Sequence, residues 1–170
     1  MTELLDEFEK EFEKAKKELK FKATLEELDD TYFLKDFISK EGFVSNRLSR
    51  QICRRIVDLY MSWAQYFHGL LMPNPNSIVN MAESNAIDDE DKEEITKLLD
   101  KLMLAANENN LIGLTKDKKA EAEFIDNSIS LWKEIKPVFE KVTKKVKGKW
   151  EDRLKSKPKK EDKELRRIYG

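Results

Sequence analysis

The sequence predicts an all-α fold: a single-domain helical bundle of five to seven helices, with a kinked C-terminal helix and a basic tail. Three observations carry that expectation. Charged residues make up 39% of the chain, with only 5 glycines and 4 prolines, and a lysine- and glutamate-rich mix of that kind favours helix over strand. Apolar residues recur at spacings of three and four along most of the chain, which is the period of a buried helix face. No segment alternates in the manner of a strand, no fixed-period repeat is present, and no Gly/Ser linker divides the 170 residues. That length suffices for one domain with its own core. The bundle is expected over residues 1–154, and residues 155–170 read as a charged, flexible tail.

The elements follow in order. Thr2 is placed to cap a first helix whose stripe is Leu5, Phe8, Phe12, Ala15 and Leu19. So narrow a seam needs either the body of its own domain or a second subunit. Thr24 and Glu27 form a capping box that opens a short helix. A second short piece runs from Tyr32 to Lys40 and ends at Gly42, a glycine suited to the left-handed position after a helix. Ser45 is expected to cap a long helix that Pro73 stops near Met72. On it Leu48, Ile52, Ile56, Leu59, Trp63, Phe67 and Leu70 form one face, which predicts the central helix of the domain. Pro73-Asn74-Pro75-Asn76 reads as a turn, and Ser77 caps a short helix after it.

Asp88 caps the next helix, with Asp89, Glu90 and Asp91 in the first turn, where the helix dipole favours anions. Its buried face is read as Ile95, Leu98, Leu99, Leu102, Met103 and Ala106, and its end at Asn109-Asn110 and Gly113. The last helix starts near Asp117 and carries Phe124, Ile125, Leu131, Trp132, Ile135, Val138, Phe139, Val142 and Val146. Pro137 within that stripe is expected to kink or restart it. Glu164 to Tyr169 could add one terminal turn.

Several chemistries find no residues to work with. A single cysteine, Cys53, and a single histidine, His68, cannot build a Cys/His zinc site or a Glu-x-x-His di-iron site. The run from Asp88 to Asp91 lacks the glycine and alternating spacing of a calcium loop. No Gly-rich phosphate cradle is present. No Ser-His-Asp set stands out. No cofactor or metal is implied, and no catalytic residue is nominated. An enzyme built on an unrecognised pocket remains the one open route to catalysis. One cysteine, an acidic N-terminus without a leader pattern and no spanning apolar stretch point to a cytoplasmic protein with no membrane contact.

What stands out is arginine. Four of the seven arginines fall within nine residues, Arg47, Arg50, Arg54 and Arg55. Arg47, Arg50 and Arg54 share one helix face, and the flat five-donor guanidinium suits carboxylates and phosphates. Charge is also divided along the chain, −9 over residues 1–140 and +8 over residues 141–170. Lys144, Lys145, Lys147, Lys149 and Arg153 therefore join the arginines as candidate contacts. The reading is a non-enzymatic binding or scaffolding protein that docks an acidic protein surface on its arginine face. The alternative is RNA or DNA held through phosphates by the same residues. Self-association through the first helix is a further possibility.

A rival reading pairs the arginines within the fold, with Asp58 or with Asp29, Asp30 and Asp36. A helix-turn-helix over Tyr32 to Met72 fits the short turn at Gly42 and the basic helix after it, but that second helix is too long for the motif. Only Asn46 and Gln51 offer base-reading amides there.

Overall fold

The computed structural model describes residues 2–156. Among them the chain forms seven helices and no strand: α1 Thr2–Leu19, α2 Leu25–Tyr32, α3 Leu34–Glu41, α4 Leu48–Leu71, α5 Ile78–Ser84, α6 Asp89–Thr115 and α7 Lys118–Lys155. Residues 157–170 of the expected tail, with the terminal turn at Glu164–Tyr169, lie outside the described residues; of the two tail positions that are described, Lys155 ends α7 and Ser156 follows it as the cap.

Helix α4 is the central element and packs against each of the other six. Its apolar face supplies Leu48, Ile52, Ile56, Tyr60, Phe67 and Leu70 to the core. Two long partners, α6 and α7, close over that face, and the short helices fill the ends. The stripe of α1 is used inside this fold. Phe8 and Phe12 are fully buried, and Phe12 meets Phe21 edge to face at 5.5 Å. The middle of the bundle is aromatic, with Trp63 stacked on Trp132 at 4.8 Å and Tyr66 on Phe139 at 5.4 Å. Buried hydroxyls there are satisfied, since Tyr32 donates to the Ser128 carbonyl at 2.9 Å.

The caps at Thr24, Ser77, Asp88 and Asp117 form where the side chains predict them. Four details differ. Phe33 adopts φ 54° and separates α2 from α3, so Tyr32 ends the first short helix and the second begins at Leu34 rather than at Tyr32. Ser45 does not cap α4. Its Oγ accepts the Arg47 N–H at 3.1 Å, and the buried Gln51 amide ties back to Ser45 N–H at 2.9 Å and to the Phe43 carbonyl. That side-chain bridge keeps Ser45 to Arg47 out of the helix, which begins at Leu48. It also takes Gln51 away from any base-reading role.

Helix α6 passes through Asn109, Asn110 and Gly113 and ends at Lys116 in the left-handed conformation. Asn109 is buried against α4, so packing overrides its weak helix propensity. Met103 lies 39% exposed, off the buried face, and Ala105 and Ile112 take the interior positions instead. Finally, α7 does not restart at Pro137. The proline removes one N–H from the ladder, and both Pro137 and Lys133, whose carbonyl loses that donor, are exposed where water can replace it. Among the described residues no helix is long and apolar enough to cross a membrane.

Candidate functional site

The arginines sit where α4 begins, beside the C-terminal half of α6 and the first turn of α7. Arg47 is the residue ahead of α4, with φ −116° and ψ 62°. Its Nη2 donates to Glu121 Oε1 at 2.9 Å, and Ser49 Oγ donates to Glu121 Oε2 at 2.6 Å. Glu121 is wholly buried, while the Arg47 side chain stays 42% exposed. A buried carboxylate is thus satisfied by one hydroxyl and one half-solvated guanidinium, as the cost of burying charge requires.

Arg50 reaches α6. Its Nη1 donates to the Asn109 side-chain oxygen at 2.6 Å and to the Asn109 carbonyl at 3.1 Å. The guanidinium lies over Gly113, where a Cβ would come within 2.6 Å of Nη2. Arg55 turns the other way, donating to the Tyr32 carbonyl at 2.8 Å and covering the Phe37 ring at 5.5 Å. Arg54 is exposed and makes no ion pair or hydrogen bond among the described residues. None of the four takes the carboxylates expected from the sequence. Asp29 instead accepts the Lys35 N–H at 2.8 Å, and Glu121 and Asn109, remote in sequence, supply the contacts.

Arg47, Arg50 and Arg54 nevertheless line one groove of about 230 Å³. Its apolar walls are Phe37 and Phe43, the latter 52% exposed, and its acidic edge is Glu41 and Asp58. Each of the three arginines keeps N–H donors beyond those engaged internally. A larger hollow of about 580 Å³ lies between the α2 entry and α7. Its floor is Asp126, whose carboxylate already accepts the Lys22 and Ala23 N–H groups at 2.8 Å. It presents no comparable set of donors or rings, so the arginine groove is the better candidate despite its size.

The basic end of α7 does not join this groove. Glu121 is bonded to Arg47, and Lys145 lies 24 residues further along the same helix, a separation of about 36 Å. Of the lysines there Lys145 is hydrogen-bonded, while Lys144 and Lys147 stay exposed beside glutamates of their own helix. Lys145 pairs with Asp88 at 2.8 Å and with Asp91; Lys144 approaches Glu140 at 4.0 Å; Lys147 approaches Glu151 at 3.4 Å. Arg153 stacks over Trp150 at 5.5 Å. Lys149 is exposed and carries no ion pair among the described residues. The basic candidates of α7 and the three groove arginines therefore lie on separate surfaces, and Arg55 belongs to neither.

The other chemistry-bearing side chains have structural surroundings. Cys53 is buried and its Sγ donates to the Glu121 carbonyl at 3.7 Å. Burial, and then the nearby Glu121 charge, pushes that thiol far up, so no reactive thiolate forms. His68 is exposed on the last turn of α4.

Phe37, Phe43, Asn109, Gly113 and Glu121 are residues of the site that sequence reading does not nominate. One signal was available for Glu121: it sits between Ala120 and Ala122 in an otherwise charged turn, and small neighbours permit close approach to another helix. No family model, no curated protein and no solved structure matches the chain at a significant level.

Gly113→Ala tests the Arg50 clamp. The added methyl displaces the flexible end of Arg50 rather than backbone. The helix gains about 1 kcal/mol in propensity and loses hydrogen bonds worth a similar amount, so stability measured by urea unfolding changes by less than about 1 kcal/mol. Retention of the wild-type Arg50 Nε–Hε resonance in this variant would contradict the clamp.

Proposed function

We propose that the chain is a non-enzymatic binding protein whose arginine groove receives an acidic, partly apolar segment of a partner protein. The observation that carries the reading is the joint lining of one groove by Arg47, Arg50, Arg54, Phe37 and Phe43. Guanidinium forks suit paired carboxylates, and aromatic walls give an intervening apolar side chain something to bury against. Positions of this kind dominate binding energy where arginine and aromatic residues converge.

A protein segment is favoured over nucleic acid by the layout of charge. Phosphate-tracking surfaces need many cations along one continuous path. Here the second basic cluster lies about 36 Å away along α7, and most of its lysines face carboxylates of their own fold. The groove's own edge carries Glu41 and Asp58, which penalises an extended polyanion more than a short peptide.

The test is fluorescence anisotropy of a labelled Asp/Glu-rich peptide carrying one aromatic residue, run beside a single-stranded RNA of equal charge. Arg50→Glu with Arg54→Glu keeps its helical circular dichroism and loses peptide affinity at least about tenfold, or ~1.4 kcal/mol. Arg54→Glu alone, at an exposed position without internal bonds, gives the same direction and leaves the melting temperature unchanged. Peptide affinity indifferent to Arg54→Glu contradicts the reading. Tighter binding of the RNA, lost on replacing Lys149 and Arg153, transfers the function to the other basic surface.

A further inference from the structure

Outside the arginine groove, α6 carries an apolar stripe that nothing in the fold covers. Leu104 is 71% exposed and Leu111 61%. Beside Leu104 lies a hollow of about 190 Å³ between α6 and α7, floored by Tyr60 and walled by Leu104, Ala105, Phe124 and Leu131. Lys101 and Glu108 stand at its two ends. Lys101 pairs with Glu134 of α7 across one end, while Glu108 has no cationic partner among the described residues.

We infer that this face is a self-association surface, on which α6 pairs antiparallel with α6 of a second copy of the chain. Lys101, Leu104, Ala105 and Glu108 occupy positions i, i+3, i+4 and i+7, the four corners of the hole that accepts a side chain from a facing helix. A two-fold axis between positions 104 and 105 seats Leu104 of the second copy in that hole. The same register then fixes everything else without adjustment. It sets Lys101 opposite Glu108 of the second copy, and the symmetric partner pair follows from the axis. It also brings Leu111 of the second copy to the level of Leu98, which its own fold already buries.

Charge and shape thus select one arrangement independently. A parallel pairing sets Lys101 against Lys101 and Glu108 against Glu108, which like-charge repulsion opposes. A foreign apolar helix would fill the hollow alone, whereas a copy of α6 also brings lysine and glutamate at spacings that answer Glu108 and Lys101 in the same register. The stripe on α1, which the sequence offers as a dimer seam, is occupied within the fold.

Sedimentation equilibrium of the full chain from about 1 µM to about 1 mM is the experiment, since a modest helix-on-helix contact associates in that range. The average mass rises from 20.1 kDa toward twice that value. Leu104→Glu, an exposed substitution that leaves the core intact, weakens association at least about tenfold. Lys101→Glu alone weakens it, and Lys101→Glu combined with Glu108→Lys restores it, because the two charges face each other across the axis. A mass fixed at 20.1 kDa throughout overturns the proposal. So does association that ignores Leu104→Glu, or a charge swap that fails to recover.

Discussion

Replacing Glu121 by alanine destabilises the fold by about 3 kcal/mol. The carboxylate is wholly buried at the first turn of α7, and it joins that helix to the start of α4. Ser49 of α4 donates to one oxygen at 2.6 Å and Arg47 to the other at 2.9 Å. Truncation strands the buried Ser49 hydroxyl and leaves a void beside Cys53, and each of those costs about 1–2 kcal/mol. The ion pair itself adds little, because Arg47 is 42% exposed and its charge is screened by water. The negative charge near the α7 N-terminus contributes a further few tenths of a kcal/mol. Urea unfolding measures the sum. Ser49→Ala, which leaves one carboxylate oxygen without its donor, loses about 1–2 kcal/mol. A Glu121→Ala loss below about 1 kcal/mol would mean that the anchor does not hold α4 to α7. The same variant releases Arg47 into the groove, so binding of an acidic peptide is preserved while stability falls.

The second large effect is acid lability centred on Asp91. This carboxylate is buried at the start of α6, where it completes a capping box with Asp88 and accepts the Asp88 N–H at 3.1 Å. Lys145 donates to its Oδ2, and Lys141 Nζ lies 3.0 Å from Oδ1. That second contact is an electrostatic one off hydrogen-bond alignment, so Oδ1 accepts no hydrogen bond. Burial alone would push the carboxyl up; the lysine ammoniums and the Asp88 N–H outweigh it and bring it down to about 2.

The sign follows by linkage. A folded-state value below the ordinary 3.8 means that the stabilisation is complete above that pH and is lost as pH falls toward about 2. Asp88 shifts in the same direction, chiefly through its hydrogen bond from Lys145. At the other extreme Lys141 is raised above its ordinary 10.5, chiefly by its hydrogen bond to Glu94 and its close ionic contact with Asp91, and Lys145 is raised through Asp88 and Asp91. Their contribution is complete below 10.5 and fades as pH rises through the raised values. Asp91→Ala loses about 2–3 kcal/mol at neutral pH, from the cap and the buried pairing together. Asp91→Asn flattens the acid limb of the stability profile. An acid limb equally steep in Asp91→Asn and wild type would assign the lability to other carboxylates.

The fold was legible because its central helix is amphipathic without ambiguity. Leu48, Ile52, Ile56, Phe67 and Leu70 recur at helical spacing and are buried, and Pro73 follows the helix; Leu59 and Trp63 of the expected stripe are only half-buried, with Tyr60 and Ala64 taking interior positions. Capping residues such as Thr24 and Asp88 act through bonds within three residues, so their signals are local and readable. The site was legible only in half. The arginines announce themselves by type and spacing, but what each fork touches depends on residues 59 and 74 positions away. Asn109 and Gly113 resemble a helix end, and only the approach of Arg50 explains their presence inside α6. Glu121 is one of many glutamates until packing buries it. Distance along α7 was also invisible as a constraint, and it is what separates Lys145 from the arginines.

The most direct test of the arginine groove is a side-chain NMR titration, following arginine Nε–Hε resonances as the acidic peptide is added. The account predicts that Arg54 and Arg47 shift together and saturably. Arg55, folded onto Tyr32 and Phe37, stays in place. Shifts confined to Arg153 and the α7 lysines, with Arg54 and Arg47 unmoved at saturation, would contradict it.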